Sequence, residues 1–268
     1  MEEAVSEPAS RTLVTGASSG IGAEYARALR ARGESVVLVA RRVERLQALA
    51  SELGGEPHAI AIAEDLAREG AARRLEQQLV ARGFAIDGLV NSAGLGRTGP
   101  FASQPPEAIA AMCDVNVRAL VELTRVFLPP MIERRRGRVV NVASNAAFQP
   151  IPNLGVYAAT KSFVLSFTEA LAEELRGSGV QVQALCPGIT ETEFLDVSDT
   201  HGSLRVRRLP MMTPHQVVEA SLAGLDAGRV RVVVGISNRL LGFVTQRFAP
   251  NWLARRVAGS LYRDPNGT

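Results

Sequence analysis

The chain of 268 residues is 46% hydrophobic and 21% charged, with 30 basic and 27 acidic residues and a formal net charge of +3. That composition describes a globular protein with ample volume for a core, built as one large domain or two small ones. The charge excess is small and spread along the chain, aromatic residues make up 5%, and no RNA or DNA motif is present, so a nucleic-acid partner is not expected.

No run approaches the roughly 18 apolar residues of a membrane span. The acidic opening MEEAVSEPAS has no apolar h-region, so no signal peptide is expected and the cytoplasm is the expected location. Cys113 and Cys186 make neither a disulfide framework nor a metal spacing, and His58, His201 and His215 stand apart, so no metal site is expected.

Along the chain, short apolar runs alternate with longer stretches of helical period, the pattern of a parallel sheet covered on both faces. Strands are predicted at TLVTG (12–16), SVVLVA (35–40), HAIAIA (58–63), GLVNSA (88–93), RVVNVAS (138–144), VQVQALC (180–186) and VRVVVG (230–235). Helices are predicted over 20–32, 43–53, 68–82, 106–135, 155–177 and 214–227. In the fourth helix Val117, Leu120, Val121, Thr124, Phe127, Leu128 and Met131 keep one face; in the fifth, Phe163, Phe167, Leu171 and Leu175 recur every four residues. Such stripes predict core or subunit contact. With no repeat and no linker, the expectation is one α/β domain over 11–268 after a flexible segment 1–10, with a doubly wound sheet of about seven parallel strands. A loop from 187 to 213 and a tail from 236 to 268 stand outside the pattern.

The first strand runs into TGASSGIG at 15–22, which opens the first helix. Gly16, Gly20 and Gly22 permit a tight turn, and with Ser18, Ser19 and Ile21 they form a cradle for phosphate at a helix N-terminus. Residues 16–20 also fit the G-x-S-x-G elbow of a hydrolase, but that elbow follows several strands, and here the first strand alone precedes it.

Lys161 is the sole lysine among the 30 basic residues. In a chain that uses arginine everywhere else, a retained lysine marks a place that needs a compact ammonium and not a flat fork. Tyr157 stands four residues earlier, on the same face of a helix.

Taken in order, TG-x-x-x-G-x-G at 15–22, Asn91-Ser92-Ala93-Gly94 after the fourth strand, Ser144 ahead of Tyr157, Y-x-x-x-K at 157–161 and Pro187-Gly188 after the sixth strand resemble the short-chain dehydrogenase/reductase family over residues 11–235. The resemblance implies a Rossmann-type fold and a nicotinamide-dependent oxidoreductase. Ser92 departs from the second Asn common in the family; the tight turn there depends mainly on Gly94.

An NAD enzyme of this fold ends its second strand with an acid for the ribose 2′-hydroxyl. Here that strand ends Val39-Ala40-Arg41-Arg42, and two guanidinium groups favour a 2′-phosphate, so NADP(H) is expected over NAD(H). By resemblance, Asp65 and Leu66 hold the adenine, Asn91, Ala93 and Gly94 line its ribose, and Ile189 and Thr192, beyond Pro187 and Gly188, meet the nicotinamide amide.

Carbonyl reduction needs a proton donor within hydrogen-bond reach of the nascent alkoxide, and Tyr157 is the candidate. A phenol titrates near pH 10, but a unit positive charge about 4 Å away at an effective dielectric near 20 is worth roughly 4 kcal/mol, or about 3 pKa units. Lys161 can supply it. The resemblance gives Lys161 a second task, bonding both nicotinamide ribose hydroxyls, has Ser144 bind the substrate oxygen, and has the backbone carbonyl of Asn116 hold a water leading from the lysine. Asp114 reads as a solvated helical acid.

The loop after Pro187 corresponds to the family's substrate lid. Phe194, Leu195, Leu204, Leu209, Met211 and Met212 in it, with Phe148 and Ile151, predict an apolar pocket for a lipophilic ketoacyl, steroid, polyketide or xenobiotic carbonyl compound or alcohol. Glu191 and Glu193 argue against an anion near the reacting carbon, and Arg205, Arg207 and Arg208 read as a solvated face. The tail is expected to pack on a neighbouring subunit ahead of its own domain or a membrane surface. By resemblance the protein is a homodimer or homotetramer built on the helices of Asn116 and Tyr157. From another class, a dinucleotide-binding regulator without turnover competes with the enzyme, but it has no use for an activated phenol.

Overall fold

The valine-rich runs become seven strands: β1 (Ser10–Thr15), β2 (Ser35–Ala40), β3 (Ala59–Ala63), β4 (Ala85–Asn91), β5 (Gly137–Val142), β6 (Val180–Cys186) and β7 (Arg231–Val233). They pair in parallel in the order β3-β2-β1-β4-β5-β6-β7. Between them lie α1 (Gly20–Ala31), α2 (Val43–Glu52), α3 (Ala71–Ala81), α4 (Pro106–Cys113), α5 (Leu120–Glu133), α6 (Gly155–Glu174), α7 (Glu193–Ser198) and α8 (Pro214–Asp226). The structure, a computed structural model, describes residues 10–198 and 211–235. The expectations for 1–9, for Leu204, Leu209 and the arginines at 205–208, and for the tail from 236 lie outside the described residues.

A sheet buried on both faces needs apolar side chains at consecutive positions, which explains SVVLVA in β2. Because side chains alternate, Leu13 and Val14 of β1 face opposite layers. Val14 joins Tyr25, Leu29, Leu46 and Leu222 under α1, α2 and α8, while Leu13 joins Leu75, Leu79, Phe127, Met131 and Leu171 under α3, α5 and α6. This is the Rossmann-type doubly wound sheet expected from the sequence.

Each layer also has a polar tie. On one face Asn91 Nδ2 donates to Thr124 Oγ1 (3.2 Å) and Asn141 Oδ1 (2.9 Å), and Asn141 Nδ2 donates to Thr168 Oγ1 (3.0 Å). These amides link α5, β4, β5 and α6, as buried polar groups need hydrogen-bond partners. On the other face the Tyr25 phenol donates to Ser221, and the Ser221 hydroxyl to Gln183, joining α1, α8 and β6.

Several boundaries differ from expectation, and three of the differences have a visible cause. β4 runs from Ala85 to Asn91 and not over 88–93: it starts early by pairing with Ser10 and Arg11, and ends at Asn91 because the next two N–H groups turn to the side chain of Thr15. The helix expected over 106–135 is α4 and α5 joined by a π-helical segment, Asp114–Ala119. α3 begins at Ala71, after Gly70 has turned through the left-handed region at φ 74°. In α6 the stripe drifts outward: Leu171 and Leu175 are buried, whereas Phe163 is 40% exposed and stacks on Phe167.

Candidate active site

Strand order reverses between β1 and β4, and a cleft of about 370 Å³ opens at their C-terminal ends, where an open α/β sheet binds its ligands. The Thr15 hydroxyl accepts the N–H groups of Ser92 (3.0 Å) and Ala93 (3.1 Å), fastening the loop after β4 against the glycine turn. Gly16 and Gly20 sit at φ 67° and 55°, a region L side chains avoid. A Cβ on Gly16 would lie 2.9 Å from Cα of Ala93, one on Gly22 2.5 Å from the Gly16 carbonyl oxygen, and one on Gly20 2.8 Å from the Thr192 side chain. The turn therefore admits glycine alone at these points. Gly16, Ser18, Ser19, Gly20, Ile21 and Gly22 all line the cleft.

Arg41, Arg42, Asp65 and Leu66 form its far end, with Ala93 and Gly94 beside the turn. Arg42 reaches back from the start of α2: its Nε and Nη2 lie 3.2 and 3.0 Å from Ser18 Oγ, and Nη2 is 3.0 Å from Ser19 Oγ. This basic, hydroxyl-lined corner has the donors for a phosphate, and β2 ends in Arg41-Arg42 where an acid would bind a free 2′-hydroxyl. Asn91 is a correction. Its side chain points into the core toward Thr124 and Asn141, 3% exposed, and does not line the cleft.

At the other end, β5 and α6 bring together Ser144, Tyr157 and Lys161, each 9% exposed or less. Lys161 Nζ lies 5.7 Å from the Tyr157 ring centre and donates to the carbonyl of Val142 at 2.7 Å. Burial pulls the ammonium down to about 8 and pushes the adjacent Cys186 thiol up to about 12, so the thiol stays neutral. Ser144 Oγ accepts the Ala146 N–H at 3.1 Å, which fixes its orientation.

Asn116 stands behind this group, in the π-helical segment. Its Oδ1 accepts from Leu95 N (2.8 Å), and its Nδ2 donates to Leu95 O (2.9 Å) and Thr160 Oγ1 (3.0 Å). The side chain thus clamps the loop after β4 to α6, a role that the sequence-based emphasis on its backbone carbonyl missed. Asp114, expected to be solvated, pairs with Arg118 at 2.8 Å.

Pro187, Gly188, Ile189 and Thr192 line the cleft along the lid. The lid is pinned at its base, where Ile189 O accepts from Met212 N and Met212 O from Glu191 N, both at 2.9 Å. Farther along, Thr98 bonds Ser198 O through its N–H (3.0 Å) and hydroxyl (2.8 Å). Phe194 lies 5.4 Å from the Tyr157 ring, filling the space that a Cβ on Gly96 would take.

The apolar wall consists of Leu95, Val115, Leu154, Phe194, Leu195 and Val197. Phe148, Ile151, Met211 and Met212 were expected there and are not. Phe148 packs beside Val164, Ile151 is buried against Met112, Met211 is exposed, and Met212 packs on the core while its backbone closes the lid base. Glu193, expected at the pocket entrance, lines the cleft at its basic end, where Arg45 and Arg42 (2.7 Å) hold its carboxyl below the usual range. Arg45 and Thr98 were not singled out in the sequence, where the one local signal is the spacing of Arg45 three residues after Arg42.

A glycine cradle at a strand-order reversal, facing a buried Tyr–Lys pair, defines a dinucleotide-dependent oxidoreductase site. The short chain dehydrogenase family model matches residues 10–201. The chain belongs to the short-chain dehydrogenase/reductase family of oxidoreductases.

Over 214 residues it is 36% identical to an NADP-dependent 3-hydroxy acid dehydrogenase of Salmonella typhi, covering 78% of this chain and 86% of the relative. Over 254 residues it is 30% identical to a very-long-chain 3-oxoacyl-CoA reductase of Macaca fascicularis, covering 92% and 77%. Among solved structures, a short-chain dehydrogenase from Sphingobium yanoikuyae in complex with NADPH matches with a TM-score of 0.77 and 32% identity, over 96% of this chain and 98% of that one.

Proposed function

We propose that the protein is an NADP(H)-dependent oxidoreductase acting on a carbonyl or secondary alcohol of a largely apolar substrate. The observation that carries this is the placement of Lys161 Nζ 5.7 Å from the Tyr157 ring, in a cleft that is basic at one end and apolar at the other. The residues present fit the cofactor: only glycine fits the turn at 16, 20 and 22, Arg42 with Ser18 and Ser19 suits a 2′-phosphate, and Gly94 lines the cleft together with Lys161. Arg41, Asp65, Leu66, Ala93, Ile189 and Thr192 complete the cofactor wall. When bound, the cofactor supplies or accepts the hydride.

The chain's own residues handle the proton. Tyr157 donates it to the substrate oxygen during reduction, and the Lys161 ammonium favours the phenolate that is left. Ser144 orients that oxygen. Its lone pair is held by the Ala146 N–H, while its proton meets Asn145 Oδ1 at a long 3.4 Å, a contact that a substrate oxygen can replace. Asn116, with Thr160, positions α6 and the Gly94–Leu95 loop around the lysine.

The wall of Leu95, Leu154, Phe194 and Leu195 suits an aliphatic chain attached to the reacting carbonyl. The name of one relative, a very-long-chain 3-oxoacyl-CoA reductase, joins the same two features. The protein works in the cytoplasm, which suits its unpaired Cys113 and Cys186, as a homo-oligomer with the exposed Phe163 of α6 at the subunit contact.

The test is a panel of 3-oxoacyl thioesters, bulky ketones and short polar aldehydes, with NADPH consumption as readout. Turnover should favour the long apolar carbonyls and fall by about 10²- to 10⁴-fold in Tyr157→Phe and Lys161→Arg, with circular dichroism unchanged. Near-normal turnover in either variant would overturn the mechanism.

A further inference from the structure

We propose that Glu193 is a built-in anion occupying the place of the cofactor's 2′-phosphate, so that seating of the lid helix and binding of the phosphate compete for Arg42 and Arg45. The inference rests on the NADP(H) reading and adds to it a residue that sets cofactor affinity.

Glu193 is the first residue of α7, far from the basic corner in sequence, yet its carboxylate bridges both arginines: Oε2 to Arg42 Nη1 at 2.7 Å, Oε1 to Arg45 Nη1. The other Arg42 nitrogens already hold Ser18 and Ser19, so the guanidinium is engaged at all three nitrogens. The donors gathered on the carboxylate and its neighbouring serines are those a phosphate monoester would use, and a dianion brought to the same guanidinium is repelled by a carboxylate already there.

Both ion pairs are about half exposed, which makes the exchange of one anion for the other inexpensive. The opposite end of α7 is held by the neutral Thr98–Ser198 bonds, which a phosphate does not contest. Loading a 2′-phosphorylated dinucleotide would therefore free the Glu193 end of the lid while the Ser198 end stays tied.

The test compares 2′,5′-ADP with 5′-AMP, which differ by the 2′-phosphate, in calorimetric titrations of the wild type and Glu193→Gln. The wild type should prefer 2′,5′-ADP, and Glu193→Gln should widen that preference about fivefold with 5′-AMP affinity unchanged. Amide hydrogen exchange over 193–198 in the wild type should quicken with 2′,5′-ADP and stay as it is with 5′-AMP.

An unchanged or reduced preference in Glu193→Gln, or slower exchange with 2′,5′-ADP, would overturn competition while leaving the cofactor reading intact. If neither protein prefers 2′,5′-ADP, the cofactor reading fails and the proposal falls with it.

Discussion

The ammonium of Lys161 donates to the backbone carbonyl of Val142 at the very end of β5, where the side chain is only 5% exposed. A charge so placed costs the fold. Burial lowers its pKa from 10.5 to about 8, so between those values the unfolded chain carries a proton that the folded chain has released, and stability rises with pH across that window. Below about pH 8 the cost is fully present, on the order of 3 kcal/mol.

Lys161→Met should accordingly raise stability at pH 7 by about 2 kcal/mol, or roughly 4–8 °C in Tm, while turnover is lost. Scanning calorimetry should show the gain shrinking toward pH 10. A Tm below that of the wild type at pH 7 would mean that the bond to Val142 outweighs the cost of burial.

Arg42 makes the cofactor preference testable separately from Glu193. Arg42→Ala removes the charged donor beside Ser18 and Ser19, so kcat/KM with NADPH should drop about 10- to 100-fold while the value with NADH stays within about threefold. Equal losses with both cofactors would assign Arg42 to the architecture of the turn instead.

Gly22 and Gly155 form a contrasting pair. A methyl on Gly22 would meet backbone, 2.5 Å from the Gly16 oxygen and 2.7 Å from its carbon, whereas one on Gly155 meets nothing within 4 Å. Gly22→Ala should cost about 2 kcal/mol or more and weaken dinucleotide binding. Gly155→Ala, in the first turn of α6, should be neutral or stabilising by up to about 1 kcal/mol. Urea denaturation of the two variants compares them directly.

The inward turn of Asn91 predicts a split between stability and binding. Asn91→Leu strips Asn141 Oδ1 of its donor in the core and should cost about 1–3 kcal/mol in chemical denaturation. Dinucleotide Kd should stay within about twofold. A large loss of affinity without loss of stability would restore Asn91 to the cofactor wall.

These contrasts trace what could be read from the sequence. Glycines at 16, 20 and 22 and the Tyr157–Lys161 spacing are local, since a turn and a helix repeat bring those residues together whatever the rest of the chain does. The seven strands were legible for the same reason.

The direction of Asn91 was not, because the pleat decides it and β4 ends two residues sooner than its apolar run implies. Phe148, Ile151 and Met212 were assigned to the pocket by proximity in sequence, whereas packing against α6, α4 and the core claims them. The meeting of Glu193 with Arg42 spans 151 positions, and nothing in either neighbourhood announces it.

The wide turn at Asp114–Ala119 gives the long helical region a joint. Upstream, Met112 packs with Ile151, Leu154 and Tyr157 at the reacting end; downstream, Leu123, Phe127 and Met131 lock to the sheet. The wider π-helical coil changes the rotational phase between the two rods. Substitution at Met112 would then press on the cleft through Leu154 and Tyr157 while the anchoring of the downstream rod on the sheet is left intact.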